Sequence, residues 1–404
     1  MKSRVLMTTT AYPPSTGGVQ SHVQELRDHL RRYDADIATL WLSQRRDWLL
    51  GTTLRLSEPE REVAAPGVHS LGWSASARAR MLPWTLGYYA IPAIAARQIA
   101  AQMVPFVERV VSSDHVLIHN HRIGREFLAQ ASLTVARRRG LPFVLSPHHH
   151  PKWRGYRYEG WLQVYRGADM VITQTETELR ELEQLGVRRE RLVAVGGTVG
   201  DAMPGDAARF RARIGGSDNP IVLFVGQLYE YKGVADLLSA VEAVRAMGDP
   251  VELVYIGPET GFSRRFFSQR SRPWVHVLGK VDEQTKWDAL EAATMLCLPS
   301  RHEALGRVFL EAWSKGKPVI GARVPAVSEV ISQGETGLLV DPGSHDQLAQ
   351  AIRRLLLDPD LAARLGARGA EEVATRFSWE RVIDGLEAAY DVAVARVRGL
   401  RSAS

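Results

Sequence analysis

One stretch decides the fold: Pro299-Ser-Arg-His-Glu303-Ala-Leu-Gly306-Arg-Val-Phe-Leu-Glu311-Ala-Trp313, which follows the apolar run Met295–Leu298. This order predicts a buried strand, a polar loop and a helix that begins after Gly306. Backbone N–H groups at a helix start lack partners within the helix and attract anions, so we expect a diphosphate site at Gly306, Arg307 and Val308. Glu311 would lie about 7.5 Å further along the helix axis, at the distance of a ribose, and Glu303 would reach the opposite way, toward a sugar.

Both glutamates also admit a plainer interpretation. Glu303 would then cap the helix and Glu311 would be a solvated helix residue, since two glutamates eight positions apart are common. The strand, loop, glycine and helix around them favour a ligand site over that alternative.

On either side of this stretch, short β-branched runs alternate with longer amphipathic segments, the pattern of parallel α/β architecture. The predicted strands are Val5–Thr9, Asp36–Trp41, His115–His119, Phe143–Ser146, Met170–Thr173, Leu192–Val195, Ile221–Val225, Glu252–Ile256, Val275–Leu278, Met295–Leu298, Pro318–Gly321 and Gly337–Val340. A Gly-, Asp-, Pro- and Ser-rich segment at 199–219 predicts a boundary between two doubly wound units. Such units bind ligands at the carboxyl ends of their strands. Helices are predicted from Gln20 to Arg32 and from Trp379 to Val397.

Composition sets outer limits on the function. The chain has 404 residues, 45% hydrophobic and 24% charged, which suits two globular domains. Its N-terminus lacks the apolar core of a signal peptide, and the apolar run at 83–96 is shorter than the roughly 20 residues of a spanning helix. Cys297 is the only cysteine, so no intrachain disulfide forms. We therefore expect a cytoplasmic protein. The net charge of +6 fits nucleic acid, anionic lipid or an anionic substrate equally well.

Several motifs together resemble glycosyltransferase family 4. Besides the Glu-x7-Glu run, they are Gly17-Gly18-Val19, Phe224-Val-Gly226-Gln-Leu with Lys232-Gly233, Gly316-Lys-Pro-Val-Ile320 and Glu335-Thr-Gly337-Leu-Leu-Val-Asp-Pro342. The resemblance covers nearly the whole chain and is strongest from 221 to 380. It implies an α/β protein with the GT-B fold: two facing Rossmann-like doubly wound domains, with a cleft between them that binds the donor. Residues 1–200 would form the acceptor-side domain, 205–380 the donor domain, and 381–404 a C-terminal helix that returns to the first domain.

The resemblance also implies roles for individual residues. Lys232 would neutralise the diphosphate of a nucleotide-sugar donor as it leaves. The catalytic set would be His121, Lys232 and Glu303. Donor-binding residues would be Gly18, Gly226, Gln227, Lys232, Gly306, Arg307, Val308 and Glu311, and the acceptor side would include Gly17 and His148.

Gln227 departs from the family pattern, which usually has arginine at this position. Glutamine carries no charge, so one expected cation is missing. Arg301, Arg307 or an arginine of the first domain would have to replace it.

Histidines mark the ends of two predicted strands. His119 and His121 alternate onto one face of a strand that becomes polar at its carboxyl end, and the sequence leaves open which of them faces the donor sugar. The run His148-His149-His150 raises the question of a metal, but three adjacent side chains do not converge on one ion. The pairs Asp34/Asp36 and Asp358/Asp360 are interpreted as structural. We therefore expect no metal and no cofactor apart from the nucleotide-sugar co-substrate.

The implied reaction is retaining transfer of a hexose-type sugar to a hydroxyl of a small-molecule, glycan or lipid-linked acceptor. A family member that binds but has lost catalysis is an alternative, supported by Gln227. A nucleic-acid-binding protein is a weaker one, suggested by the basic and aromatic run at 152–158, which no nucleic-acid motif accompanies. A nicotinamide oxidoreductase would need Gly-x-Gly-x-x-Gly after the first strand, and the sequence lacks it.

The segment from Val63 to Val107 has no acidic residue, and it carries Arg78, Arg80 and Arg97 together with Trp73, Trp84, Tyr88 and Tyr89. This composition suits a surface that rests on anionic lipid, which predicts peripheral contact with the inner face of a membrane. The alternative is a core helix at 83–96 with solvated arginines.

Overall fold

A computed structural model describes residues 2–15, 17–42, 66–70, 75–122, 124–149 and 159–402 of the chain, and the side chains as far as 399. Three of the features singled out above lie outside these residues: Trp73, His150 and the basic and aromatic run at 152–158. The chain forms two compact units. The N-terminal unit comprises Met1–Gly196 and Trp379–Ser404, and the C-terminal unit comprises Gly197–Ser378.

The N-terminal unit is built on a seven-stranded sheet in the order β3-β2-β1-β4-β5-β6-β7. Its strands are β1 Ser3–Ala11, β2 Tyr33–Trp41, β3 Val68–Ser70, β4 His115–His121, β5 Phe143–Ser146, β6 Met170–Thr173 and β7 Leu192–Ala194. Its helices are α1 Gly18–His29, α2 Ala75–Gly87, α3 Pro92–Val110, α4 Phe127–Arg139, α5 Glu159–Gly167, α6 Glu176–Gln184 and, at the C-terminus, α15 Trp379–Ser402.

All strand pairs in this sheet are parallel, and β1 is buried on both faces, with Val5, Leu6 and Met7 fully inaccessible. The carboxyl ends of parallel strands meet at one edge of a sheet. Strand order reverses between β1 and β4, where Thr9 pairs with His121. A crevice opens at such a reversal, so the ends of β1 and β4 are the expected ligand position in this unit.

The C-terminal helix α15 completes the hydrophobic core on one face of this sheet. Val382, Leu386 and Tyr390 are buried there beside Val23 and Leu26 of α1. The Glu387 carboxylate accepts hydrogen bonds from the backbone N–H groups of Arg31 and Arg32, each at 2.7 Å.

The C-terminal unit repeats the architecture with six parallel strands in the order β10-β9-β8-β11-β12-β13. They are β8 Ile221–Val225, β9 Glu252–Ile256, β10 Val275–Gly279, β11 Met295–Leu298, β12 Val319–Ala322 and β13 Leu338–Val340. Its helices are α7 Ala207–Arg213, α8 Val234–Ala246, α9 Gly261–Ser268, α10 Glu283–Ala292, α11 Arg307–Trp313, α12 Pro325–Val330, α13 His345–Leu357 and α14 Pro359–Thr375. Here the order reverses between β8 and β11.

The structure differs from the sequence predictions at a few positions. Strand β2 begins at Tyr33, three residues before the predicted start at Asp36, so Asp34 also lies within it. The apolar run at 83–96 is not one helix, because α2 ends at Gly87 and α3 begins at Pro92. The three-residue edge strand β3 was not predicted. No helix among the described residues is long and apolar enough to cross a bilayer.

Candidate functional site

The loop that follows β11 brings the Glu-x7-Glu run to the reversal point of the C-terminal sheet. It ends at Gly306, whose φ of 75° is left-handed, and a Cβ there would lie 2.7 Å from the Phe309 ring. Glycine is therefore required to start α11 at this position. The N-cap residue is this glycine, and the Glu303 carboxylate is instead bound to Lys232.

Lys232 and Glu303 form an ion pair, with 2.5 Å between Nζ and Oε1. Lys232 ends a short turn after β8 that docks on the loop after β11, because the Arg301 N–H donates to the Tyr231 carbonyl at 2.8 Å. Gly233 allows the close approach, since a Cβ there would lie 2.5 Å from the Pro299 carbonyl oxygen. The side chains of Lys232 and Glu303 are only 15% and 10% exposed. The lysine is thus a partly desolvated cation rather than a solvated loop residue.

Glu311 is also paired, with a lysine that no sequence motif had indicated. Its Oε1 lies 3.1 Å from Nζ of Lys286 on α10, and the Glu311 side chain is 13% exposed. Burial alone would lower the pKa of Lys286, but the Glu311 and Glu283 carboxylates raise it above its ordinary value. Lys286 therefore stays charged beside Glu311, and the solvated-helix interpretation of Glu311 is wrong.

Gln227 follows Gly226 at the end of β8, and its side chain is exposed. The backbone N–H of Gly226 donates to the Ile256 carbonyl at 2.8 Å, which ties this turn to β9. Arg301, a candidate to replace the missing cation, binds Asp236 of α8 at 3.1 Å. Its charge is already balanced by a carboxylate.

In the N-terminal unit, β4 ends in two histidines with different surroundings. His119 is bonded at both ring nitrogens, Nδ1 with the Tyr390 hydroxyl at 2.7 Å and Nε2 with the Ser146 hydroxyl at 2.9 Å. Among the described residues, neither ring nitrogen of the buried His121 has a hydrogen-bond partner. Burial lowers the pKa of His119 to about 3 and that of His121 well below its ordinary value. Both rings are neutral, and His121 is the one with hydrogen-bonding capacity to offer.

Two further histidine rings lie near this pair. The His119 and His121 centroids are 4.0 Å apart, His148 lies 6.2 Å from His121, and His22 lies 5.8 Å from His148. His148 is the one non-glycine residue of the described chain with positive φ, at 42°, a strained conformation of the kind that functional sites often hold. It lines a pocket with Ser146, Gln174, Val195 and Leu386.

The glycines at the start of α1 lie at the other side of the same reversal point. A Cβ on Gly17 would meet the Gln20 side-chain oxygen at 2.3 Å, whereas a Cβ on Gly18 would meet no atom within 4 Å. The contact at Gly17 is with the movable end of a side chain and does not by itself require glycine, and the space beside Gly18 is open.

The acidic pairs and the histidine run have structural partners. Asp36 binds Arg4 at 3.1 Å, and Asp358 accepts from the Leu361 N–H at the start of α14. The N–H of His149 donates to buried Glu178, and burial raises the pKa of that carboxyl to about 7. No group of three His, Cys, Asp or Glu side chains in the described part of the chain is placed to hold a metal.

Comparison with known proteins matches both units. The family model "Glycosyl transferase 4-like domain" matches residues 17–198, and "Glycosyl transferases group 1" matches 207–372. A D-inositol 3-phosphate glycosyltransferase of Acidothermus cellulolyticus is 34% identical over 319 residues, 70% of this chain and 68% of the relative. An alpha-maltose-1-phosphate synthase of Mycolicibacterium smegmatis is 31% identical over 277 residues, 61% of this chain and 71% of the relative.

Two solved structures share the fold. Anabaena HepE in complex with UDP and glucose superposes with a TM-score of 0.73 at 17% identity, covering 96% of this chain and 99% of HepE. Sucrose-phosphate synthase of Thermosynechococcus elongatus gives 0.73 at 20% identity over the full length of both chains.

Proposed function

The chain belongs to glycosyltransferase family 4 and has the GT-B fold, and from this we propose that its donor is a nucleotide-diphosphate sugar. The proposed reaction transfers a hexose-type sugar, with retention of anomeric configuration, to a hydroxyl of a small-molecule, glycan or lipid-linked acceptor. Support for the donor class comes from the reversal point of the C-terminal sheet, where two lysine–glutamate pairs lie beside one loop. HepE, which shares the fold, binds UDP and glucose.

Lys232 is proposed to stabilise the leaving diphosphate. As the bond between the anomeric carbon and the phosphate oxygen breaks, negative charge grows on that oxygen, and a fixed, partly desolvated ammonium lowers the energy of that state. Backbone N–H groups of Gly306, Arg307 and Val308 would complete the diphosphate contacts, and Gly226 and Gln227 would border the donor across the reversal point.

The two glutamates are proposed to hold different parts of the donor. Glu311, held by its ion pair with Lys286, would accept hydrogen bonds from the two ribose hydroxyls. Glu303 would accept from hydroxyls of the sugar, and its ion pair with Lys232 fixes its position.

In the N-terminal unit, His121 is proposed to bond a hydroxyl of the donor sugar. Its two ring nitrogens are neutral and have no partner among the described residues, so it can donate at one and accept at the other. The open space at Gly18 would admit the donor, and Gly17 and His148 would border the acceptor.

The proposed chemical step is the one that the resemblance to family 4 implies, and these contacts would support it. The acceptor oxygen attacks the anomeric carbon from the face that the diphosphate leaves, and the departing phosphate oxygen takes the acceptor's proton. The products are the glycosylated acceptor and a nucleoside diphosphate. No described side chain is required as a covalent nucleophile, and no metal is required because lysines and backbone N–H groups meet the phosphate charge.

A hydrolysis screen tests this proposal, because slow donor hydrolysis needs no acceptor. UDP-, GDP-, ADP- and dTDP-hexoses are incubated with the enzyme, with and without EDTA, and nucleoside diphosphate release is measured. We expect release from one nucleotide class, unchanged by EDTA. Release that EDTA abolishes and Mg²⁺ or Mn²⁺ restores would contradict the metal-free account.

A second candidate, a sugar-nucleotide-binding protein with impaired catalysis, is favoured by one observation. Gln227 is uncharged and Arg301 is bound to Asp236, so the usual second cation is not replaced by Arg301. This candidate would be identified by calorimetry that shows donor binding, together with assays that show no donor hydrolysis and no sugar transfer to any acceptor.

A further inference from the structure

The turn between α2 and α3 presents an unusual surface, here called the α2–α3 tip and defined as residues 81–96. It contains no charged residue. Every exposed residue in it is apolar: Leu82, Pro83, Leu86, Tyr89, Ala90, Ile91, Ala93 and Ile94. Leu86 and Ile94 are 68% and 54% exposed. Single exposed apolar side chains are ordinary on protein surfaces, but a contiguous group of this size marks an interaction site.

The opposite face of the tip is firmly packed, so its exposure does not arise from poor anchoring. Met81, Tyr88 and Ala95 are fully buried. The Tyr88 hydroxyl donates to the buried Glu126 carboxylate at 2.8 Å, and its ring meets Phe127 edge-on. The tip is therefore anchored to the N-terminal unit through this buried face.

The backbone of the turn is satisfied within the turn itself. The N–H groups of Ala90 and Ile91 both donate to the Gly87 carbonyl at 3.0 Å, and that of Ala95 donates to the Ile91 carbonyl at 3.0 Å. Buried Thr85 donates its hydroxyl to the Met81 carbonyl. Unpaired backbone groups make entry into an apolar medium costly, and this turn avoids much of that cost.

Arginines lie at the base of the tip. Arg78 precedes Leu82 by one helical turn, and Arg97 follows Ile94 by one turn. Arg125 donates to the Tyr89 hydroxyl at 3.1 Å. No acidic residue occurs between 63 and 107. Apolar side chains at the end and cations one turn behind them match a bilayer surface, with hydrocarbon below and anionic phosphates above.

We propose that the α2–α3 tip enters the interface of an anionic membrane, with Arg78, Arg80 and Arg97 binding lipid phosphates. A second copy of the chain fits this surface less well, because a two-fold contact between tips would bring the arginines of both copies together. The proposal concerns a different surface from the donor site and holds whether or not the proposed reaction is correct.

Vesicle flotation tests the proposal directly. The protein is mixed with vesicles of phosphatidylcholine alone or with phosphatidylglycerol, at low and high salt. We expect it to float with the anionic vesicles only, and less at high salt. Leu86→Ser with Ile94→Ser should weaken binding roughly tenfold or more. Arg80→Glu with Arg97→Glu should weaken it at least as much, since each arginine contributes about fivefold.

Matched controls separate the tip from general surface properties. Met247→Ser with Leu357→Ser removes two side chains that are 52% and 60% exposed in the C-terminal unit. Arg364→Glu with Arg398→Glu makes the same change in net charge at other exposed positions. Both control variants should float like the parent. Flotation unaffected by the tip variants, equal binding to neutral vesicles, or no binding would each overturn the proposal.

A probe at the tip gives an independent measurement. Cys297 is fully buried, so a cysteine placed at Leu86 is the accessible one for an environment-sensitive dye. The dye on Leu86→Cys should shift to the blue with anionic vesicles, whereas a dye on Met247→Cys should not. Sedimentation velocity without lipid gives the remaining outcome: self-association that Leu86→Ser abolishes, with no shift on vesicles, would assign the tip to a dimer instead.

Discussion

The two units place their candidate residues at the same topological position, but those residues are charged in one unit and neutral in the other. In the C-terminal sheet, the reversal between β8 and β11 carries two ion pairs, Lys232–Glu303 and Lys286–Glu311. In the N-terminal sheet, the reversal between β1 and β4 carries histidines that burial keeps neutral. One fold therefore provides a charged site in one unit and a neutral polar site in the other.

This difference suits the two parts of the proposed donor, a nucleotide-diphosphate sugar. A diphosphate carries charge that must be stabilised as it leaves, and fixed cations do this well where water is partly excluded. A sugar is neutral and is held by hydrogen bonds, which a neutral histidine donates and accepts without a counterion. The comparison predicts that substitutions in the C-terminal unit lower turnover and nucleotide affinity, because they remove charged contacts to the donor. Substitutions of the buried histidines in the N-terminal unit should change how the stability of the protein depends on pH.

The largest expected effect is a loss of turnover on substitution of either residue of the Lys232–Glu303 pair. Lys232→Ala should reduce the turnover of donor hydrolysis by roughly 100- to 1000-fold, as expected for loss of a group that stabilises developing charge. Glu303→Ala should reduce it by roughly 10- to 150-fold, corresponding to about 1.5–3 kcal/mol for a charge-assisted hydrogen bond. Single-turnover kinetics at saturating donor measure both changes.

Lys280→Ala is the matched control, because Lys280 is an exposed lysine of the same unit. It should turn over like the parent. Urea unfolding of each variant checks that a buried charge left unpaired has not unfolded the site. Parent-like turnover in both Lys232→Ala and Glu303→Ala would show that this ion pair takes no part in catalysis.

The second effect is on nucleotide affinity and concerns Glu311 with Lys286. Glu311→Ala should weaken nucleoside diphosphate binding by about 1.5–3 kcal/mol, roughly 10- to 150-fold in Kd, with a smaller effect on turnover. Lys286→Met should weaken binding less, because it acts by holding Glu311. If so, adding Lys286→Met to Glu311→Ala changes nothing further. Isothermal titration calorimetry measures the cycle, with Glu371→Ala on exposed α14 as control. Additive losses would show that Lys286 contacts the nucleotide itself.

The sequence predicted the strands better than the contacts at their ends. Ile221–Val225 and Met295–Leu298 are buried on both faces, so their apolar runs coincide with strands β8 and β11. The edge strand β3 has three residues, too few to show an alternating pattern. Residue type and position relative to a strand singled out Glu303, whereas Lys232 and His121 were selected through the resemblance to family 4. The partners Lys286 and Tyr390 lie 25 and 271 residues away from Glu311 and His119, so only the folded chain brings them together.

The smallest effect is on stability and tests the neutral side of the comparison. The folded state lowers the pKa of His119 from 6.5 to about 3, because the buried ring is costly to charge. A group with a depressed pKa contributes stability above its unfolded value, and that stability is lost as pH falls through the window from 6.5 toward 3. The free energy of unfolding should therefore fall by about 1.4 kcal/mol per pH unit below 6.5 for each such histidine.

His119→Gln removes this dependence, although losing the bonds to Tyr390 and Ser146 makes the variant less stable at pH 8. Buried Glu178, with a pKa of about 7, changes in the opposite direction over the same range, so the informative quantity is the difference between variant and parent. Urea unfolding at pH 8, 7, 6 and 5 should give a shallower pH dependence for His119→Gln than for the parent, whereas His345→Gln, whose side chain is 54% exposed, should follow the parent. Identical pH dependence in His119→Gln and the parent would mean that the histidines of the N-terminal unit are charged or solvated, and the contrast between the two units would fail.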